Sequence, residues 1–195
     1  MQDIIQFFDS HAKDWDSYWQ EEEFVLMHKI LDRSGIQKED MVLDIACGTG
    51  ILVPFYLESG IQPSRMQGID ISPKMVEIFS HKFPDIPVLC DDFLSAALPE
   101  NFFSYAMIFN SFPHFMEPER VFAKVAEILK PKGKLIIAHT KTREALDMHH
   151  ERSSSVVKSH RLIEDSLFLK YYEKYGFIDI VLDNDFYFYT MGIKK

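Results

Sequence analysis

Two acidic residues, each in or after a short apolar run, have the spacing of a nucleoside-binding pair. The run Val42–Gly50 reads V-L-D-I-A-C-G-T-G, and about twenty residues later Gly68-Ile69-Asp70 ends a second apolar run. This pattern predicts a strand, a glycine turn and a helix, with the turn at the carboxyl end of a parallel strand. Gly48 and Gly50 would let a ligand approach the main chain, and Asp70 could accept hydrogen bonds from both hydroxyls of a ribose. The sequence therefore predicts a nucleoside pocket.

The glycine turn differs from that of dinucleotide-binding proteins. It lacks the third glycine of G-x-G-x-x-G, which brings a helix N-terminus to a pyrophosphate. From Asp44 to Gly50 it resembles motif I of the class I S-adenosylmethionine (SAM)-dependent methyltransferases, usually D-x-G-C-G-T-G. Ala46 replaces the first glycine, and we expect the pocket to survive because alanine is the smallest substitution. The resemblance implies SAM as cofactor and S-adenosylhomocysteine as product.

The resemblance covers roughly residues 40–139 and assigns further roles. An acid of the pair Asp91-Asp92 falls where the family places one against the adenine amino group, and spacing favours Asp92. Asn110-Ser111 falls where the family lines the sulfonium end, and Met75 where a residue packs under the adenine, with core packing as the alternative. The implied cofactor-binding residues are Trp15, Tyr18, Asp44, Ala46, Cys47, Gly48, Gly50, Asp70, Ile71, Met75, Asp91, Asp92, Asn110 and Ser111.

Other assignments have structural alternatives as well. Asp44 is expected to help place the methionine amino end, through the turn or a water, but strand-end acids such as Asp44 and Asp70 also cap loops. The segment 8–19 resembles the opening of many small-molecule methyltransferases, in which an aromatic residue closes over SAM. Trp15 and Tyr18 are the candidates for that lid. Alternatively, both rings only dock their helix.

Histidines are the candidates for catalysis. Methyl transfer from a sulfonium is an in-line displacement that needs alignment and exclusion of water. A base is needed only where the nucleophile carries a proton. His114 and His139 follow the fourth and fifth predicted strands, at the edge of the sheet where the cofactor is expected, and either could be that base. No metal is predicted; a zinc site on His114, His139 and His149 is the less favoured alternative.

The order of elements predicts an α/β fold with a doubly wound, seven-stranded, mainly parallel sheet. The short link Asp183–Asp185 requires an antiparallel hairpin, so the last strand runs against the others. We expect one domain, with an N-terminal helical cap at residues 1–40 and a Rossmann-like core at residues 41–195. The polar stretch 140–160 is expected on the substrate side. Strands are predicted at Met41–Ile45, Arg65–Ile71, Pro87–Cys90, Tyr105–Phe109, Lys134–Ala138, Phe177–Leu182 and Phe186–Met191.

Composition limits the partners and the location. The net charge is −9, from 30 acidic and 21 basic residues, which argues against nucleic acid. No apolar stretch approaches the roughly 20 residues that span a bilayer, and the N-terminus lacks the basic start of a signal peptide. Cys47 and Cys90 do not suggest a disulfide. We therefore expect a cytoplasmic protein, a monomer or a homodimer.

These observations predict a SAM-dependent methyltransferase that acts on a small molecule. After the fourth strand stands Asn110–Pro113 rather than the Asn-Pro-Pro-Tyr of enzymes that methylate amino nitrogens. An aromatic pocket of Phe112, Phe115, Trp15 and Tyr18 would suit a flat or cationic acceptor. Two alternatives stay open, a protein methyltransferase and a non-catalytic SAM-binding module. Turnover distinguishes the module from an enzyme, because a module would bind SAM without releasing a methylated product.

Overall fold

The computed structural model describes residues 2–152 and 161–195, with the backbone alone for residues 149–152. The chain forms two compact units, Met1–Ala96 and Ala97–Lys195, and its organisation as one domain stays a prediction. The strands have the sheet order β3-β2-β1-β4-β5-β7-β6. This order confirms the predicted seven-stranded α/β fold.

The first unit contains the N-terminal helices and three parallel strands in the order β3-β2-β1. Its elements are α1 (Gln2–His11), a 3-10 helix (Ala12–Tyr18), α2 (Glu21–Ser34), β1 (Val42–Ile45), α3 (Val53–Glu58), a short 3-10 helix (Pro63–Arg65), β2 (Met66–Asp70), α4 (Pro73–Lys82) and β3 (Val88–Cys90). All four residues of β1 are buried, as expected for a parallel strand that is covered on both faces.

Local signals set the helix boundaries of this unit. Helix α2 begins with a capping box between Gln20 and Glu23 and ends at Gly35, whose φ is +62°. Helix α4 begins after Ser72, whose side chain caps it by accepting a hydrogen bond from the Met75 amide at 3.2 Å. Pro73 occupies the first helical position, where its missing N–H costs no hydrogen bond. The helical N-terminal region is interrupted at Trp19 and Gln20.

The second unit has the strand order β4-β5-β7-β6. Strands β4 and β5 are parallel, and β7 is antiparallel to both β5 and β6, which confirms the predicted hairpin. Its elements are β4 (Phe103–Phe109), a short 3-10 helix (Phe112–His114), α5 (Pro118–Ile128), β5 (Leu129–His139), α6 (Arg143–Arg152), α7 (Asp165–Lys174), β6 (Phe177–Asp183) and β7 (Phe188–Lys194).

An aromatic cluster forms the core of the second unit. The ring of Phe168 on α7 lies 5.1 Å from Phe112 and 5.3 Å from Phe188, centroid to centroid. The rings of Phe122 and Tyr172 join α5 to α7 at 4.8 Å. All five side chains are at most 2% exposed. The cluster therefore fixes the loop that follows β4 against the helices and β7.

Two segments of this unit differ from the sequence prediction. Strand β5 begins at Leu129 rather than at the predicted Lys134, and its pairing with β4 shifts between Phe103 and Tyr105. Lys132 lies in this irregular stretch with a φ of +67°. The polar stretch 140–160 contains helix α6, which periodicity missed because Leu146 is its one buried apolar residue among those described. Residues 153–160 lie outside the described part of the chain.

Among the described residues, no helix is both long and apolar enough to cross a bilayer.

Candidate active site

The glycine turn after β1 alternates left-handed residues. The φ angles of Ala46, Gly48 and Gly50 are +57°, +55° and +85°. The Cys47 amide donates to the carbonyl of Ile69 at 3.1 Å, and the Gly50 amide donates to the carbonyl of Cys47 at 3.0 Å. The turn is thus tied to β2 and folded tightly on itself. Cys47 is buried, and burial raises the pKa of its thiol.

The two glycines of the turn differ in what their missing side chains allow. A Cβ on Gly50 would lie 2.7 Å from the Phe83 ring and 2.8 Å from the Phe79 ring. Glycine at this position therefore lets helix α4 pack on the turn. Among the described residues, leaving aside the two neighbours of Gly48 in the sequence, a Cβ on Gly48 would have only Nε1 of Trp15 within 4 Å, at 3.9 Å. The open side of the turn is therefore at Gly48, beside the tryptophan of the expected lid.

Ala46 carries a strain that glycine would relieve. A left-handed conformation costs a non-glycine residue about 1–2 kcal/mol, of which the larger unfolded-state entropy of glycine offsets part. We expect Ala46→Gly to raise the free energy of unfolding by up to about 1 kcal/mol and Tm by roughly 2–4 °C, with unchanged SAM affinity. Ala123→Gly, inside helix α5, is the control and should lose about 1 kcal/mol. Equal losses in the two variants by thermal melting would contradict the strain at Ala46.

Asp70 connects the glycine turn to the start of α4. Its Oδ2 accepts the Gly48 amide at 2.8 Å, and its Oδ1 accepts the Ser72 amide at 2.9 Å. The residue is 9% exposed. Burial raises the pKa of Asp70 even though both amide donors act to lower it. Each carboxylate oxygen has a second acceptor position, so ribose hydroxyls can still be bound.

Asp44 is a second buried acid in the same unit. It is 5% exposed, and its pKa is raised to about 8, by burial first and by the charge of Asp70 second. Among the described residues, no basic side chain forms an ion pair with Asp44 or Asp70. A buried carboxylate without a cationic partner favours a ligand that brings positive charge or further hydrogen-bond donors. SAM carries both an ammonium group and ribose hydroxyls, so these residues fit the cofactor that the turn implies.

The remaining candidates of this unit have varied environments. Asp91 is exposed and caps the Asp92 amide at 2.8 Å, whereas Asp92 is half-buried and caps the Leu94 amide at 3.1 Å. Both carboxylates therefore have local structural roles, and the choice between them stays open. Met75 is buried at 1% exposure, and Tyr18 is 55% exposed. Ile71, next to Asp70, is half-buried.

Asn110 and Ser111 lie in the second unit, directly after β4. The φ of Asn110 is +50°, its Oδ1 accepts the Thr140 amide at 2.9 Å, and its Nδ2 donates to the Thr140 hydroxyl at 3.4 Å. The carboxamide thereby connects the ends of β4 and β5. The Ser111 Oγ is buried, with no hydrogen-bond partner among the described residues, which leaves it available to a ligand. Their cofactor role stays a prediction.

The two candidate catalytic histidines also belong to the second unit. His139 is 2% exposed at the end of β5, with its ring 6.1 Å from that of Phe188. His114 is half-buried in the 3-10 helix after β4. Histidine, cysteine and acidic side chains form no metal-binding cluster anywhere in the described part of the chain. The side chain of His149, the third residue of the alternative zinc site, lies outside that part. Of the two, His114 is the better placed to meet a ligand.

A pocket of about 210 Å³ lies beside the loop that follows β4, in the second unit. Six of its seven lining side chains are apolar and the seventh is a guanidinium. They are Phe112, Pro113, Phe115, Met116, Pro118, Ile163 and Arg161. Two of the four residues of the expected aromatic pocket, Phe112 and Phe115, line it. The other two, Trp15 and Tyr18, are in the first unit.

Sequence reasoning missed several residues that shape these regions. Asp9 and Asp16 bind the loops of the first unit through their carboxylates. Arg161 and Ile163 line the pocket from a segment just before α7. Asp9 and Asp16 lie in an N-terminal stretch with many acidic residues, and nothing in the sequence distinguishes them from the others. A local motif cannot reveal hydrogen-bond partners that are 33 or 63 positions away.

Comparison with known proteins matches the middle part of the chain to methyltransferases. Residues 42–133 match the family model of a methyltransferase domain. The demethylmenaquinone methyltransferase of Renibacterium salmoninarum is 28% identical over 109 residues, which are 56% of this chain and 45% of that protein. The chain thus aligns with less than half the length of this relative. The segment that the family model matches contains the glycine turn and Asp70.

Solved structures resemble a larger share of the chain. A SAM-dependent methyltransferase from Aquifex aeolicus has a TM-score of 0.72 at 18% identity, covering 96% of this chain and 98% of that one. Phosphoethanolamine N-methyltransferase 2 of Haemonchus contortus, solved with SAM, has a TM-score of 0.70 at 18% identity, covering 87% and 52%. At these identities the likeness shows a common fold.

Proposed function

We propose that this chain, which matches the model of a methyltransferase domain over residues 42–133 and has the fold of SAM-dependent methyltransferases, uses SAM to methylate a small, mainly apolar acceptor. The observation that carries this proposal is the pocket of the second unit, whose lining is apolar apart from Arg161. Its volume of about 210 Å³ suits one or two rings rather than a polymer segment. The match to a protein named for demethylmenaquinone supports an acceptor with an apolar ring.

The positive charge of Arg161 restricts the chemical class of the proposed acceptor. The Arg161 side chain is 65% exposed, with its Nε 3.9 Å from the Asp147 carboxylate. A guanidinium at the pocket favours a carbonyl, phenolate or carboxylate group and disfavours a cation. The acceptor we propose is therefore a ring compound with an oxygen substituent, rather than the cationic acceptor that the aromatic residues alone suggested.

Each group of residues has a defined part in this proposal. SAM supplies an electrophilic methyl group when it is bound. Asp70 holds the ribose hydroxyls, Asp44 faces the positively charged methionine end, and Gly48 gives the ligand access to the turn. Asn110 and Ser111 line the sulfonium end, as the resemblance implies. If the attacked atom carries a proton, His114 is the proposed base, and the apolar pocket excludes water from the acceptor.

The first test uses SAM with a labelled methyl group, incubated with the protein and a cell extract that is then separated by size. Label in the low-mass fraction supports the proposal. Label in macromolecules would favour a protein methyltransferase. No label, in the presence of measured SAM binding, would favour a non-catalytic module.

Phe115→Ala tests the role of the pocket. Removing a ring from the lining should lower the rate of labelling in the low-mass fraction by roughly 10- to 100-fold, because a buried aromatic contact contributes about 1–3 kcal/mol. The SAM Kd should stay within two-fold. The matched control is Phe186→Ala, since that ring is 84% exposed. Equal rates for the two variants would exclude the pocket as the acceptor site.

Three properties remain predictions alongside this proposal: the cytoplasmic location, a monomeric or homodimeric state and the absence of a nucleic-acid partner. The net charge of −9 supports the last of these.

A further inference from the structure

Two carboxylates fasten the N-terminal segment, residues 2–18, to the loops of the first unit that surround the glycine turn. The Asp16 Oδ1 accepts a hydrogen bond from the Thr49 hydroxyl, and its Oδ2 lies 2.8 Å from the Lys82 ammonium. The Asp9 Oδ1 accepts the Ser72 hydroxyl, and also the Lys74 amide at 3.1 Å. The segment is thus bound to both loops, and through Lys82 also to the end of α4.

The two loops that form these hydrogen bonds are the glycine turn and the loop before α4. Asp70 connects the same two loops. Thr49 stands inside the glycine turn and is 1% exposed. Ser72 caps α4, and its amide donates to Asp70. A continuous hydrogen-bonded path therefore runs from Asp9 through Ser72 and Asp70 to the glycine turn. Asp16 binds the same turn at Thr49.

The attached N-terminal segment carries Trp15, which lies beside the expected cofactor site. Its Nε1 is 3.9 Å from the Cβ position of Gly48, on the open side of the turn. The ring packs edge-on against Phe8 at 5.4 Å and Tyr18 at 6.1 Å. Trp15 thus borders the space that Gly48 leaves for the cofactor. The next residue in the chain, Asp16, is the one that is bound to the turn.

We infer that Asp16 is a positioning residue of the cofactor site: by accepting the Thr49 hydroxyl, it holds Trp15 as a wall of the SAM site. The Thr49 bond carries this role because it joins an ionised acceptor to a buried hydroxyl. The contact with Lys82 is screened by solvent, since the two side chains are 33% and 44% exposed. The inference rests on SAM as cofactor and is independent of the acceptor.

The test measures SAM affinity by titration calorimetry. Asp16→Ala and Thr49→Val should each raise the Kd about 10-fold, in line with loss of a charge-assisted hydrogen bond. Because both substitutions break the same bond, the double variant should bind no more than about two-fold more weakly than either single variant. Asp16→Asn, which keeps an acceptor for the Thr49 hydroxyl, should restore affinity to within about three-fold of the original protein.

Glu77→Ala is the matched control, because Glu77 forms an exposed 2.8 Å ion pair with Lys74 on the same helix α4. Its Kd should stay unchanged. Tryptophan fluorescence gives a second measurement: the change on SAM binding should be lost in Trp15→Phe and reduced in Asp16→Ala. The inference is overturned if Asp16→Ala and Thr49→Val bind SAM within two-fold of the original protein. It is also overturned if their effects add in the double variant, or if Asp16→Asn is as weak as Asp16→Ala. Asp16 is 44% exposed, so its variants should fold, and Tm of the free protein checks this for them and for Thr49→Val, whose site is buried.

Discussion

Asp70→Asn is expected to raise the SAM Kd at least 100-fold. Both carboxylate oxygens of Asp70 accept backbone amides, from Gly48 at 2.8 Å and from Ser72 at 2.9 Å. An asparagine has one oxygen, so its NH₂ group must face one of these donors in a buried site. That loss alone costs about 1–3 kcal/mol. The charge-assisted bonds to the ribose hydroxyls that we propose would be weakened as well.

Calorimetric titration with SAM measures this effect, and Asp85→Asn is the control because Asp85 is exposed outside the site. Circular dichroism of the free variant separates loss of the site from loss of the fold. We expect the variant to fold, because removing a charge from a buried position offsets part of the lost hydrogen bonding. A Kd within ten-fold of the original would show that Asp70 only shapes the loops.

The sequence predicted those parts of the site whose causes are local. The glycine turn needs left-handed residues at alternate positions, and only small residues occupy them. The cap of α4 needs Ser72 and Pro73 in adjacent positions, which the sequence displays directly. The hairpin of the last two strands follows from the length of its link. Each of these features is decided within a few residues, so a pattern is sufficient to reveal it.

Other parts depend on contacts between distant segments. Gly50 was expected to leave room for a ligand, but it also makes room for the rings of Phe79 and Phe83. The bonds from Asp9 and Asp16 join residues 63 and 33 positions apart. Any of ten acidic residues in the first forty could have made them. Tertiary packing selects among such residues, and a single sequence does not contain that selection.

Asp44→Asn should stabilise the free protein and weaken SAM binding. Asp44 is 5% exposed, its pKa is raised to about 8 by burial and then by Asp70, and no described basic residue compensates for its charge. An asparagine of nearly the same size carries no charge to bury. At a pH of about 8.5 we expect a gain of at least about 2 kcal/mol, or roughly 4–8 °C in Tm. The SAM Kd should rise about 10-fold as the partner of the ammonium group is lost.

The pH dependence identifies the cause of this gain. In the unfolded chain the pKa of Asp44 is near its ordinary value of about 4, whereas in the folded protein it is about 8. Below pH 4 the group is protonated in both states and costs no stability. Between pH 4 and 8 the unfolded state ionises while the folded state keeps its proton, so the cost grows with pH and is complete above 8. The Tm difference between Asp44→Asn and the original protein should therefore rise from near zero at about pH 4.5 to its full value at about pH 8.5. Asp85→Asn should show no such rise. A difference that is constant with pH would show that Asp44 is ionised throughout and that its charge is compensated.

A cofactor that binds the ionised form must displace the proton of Asp44, so SAM binding near pH 7 should release protons from the original protein and fewer from the variant. Calorimetry in buffers of different ionisation enthalpy measures that release.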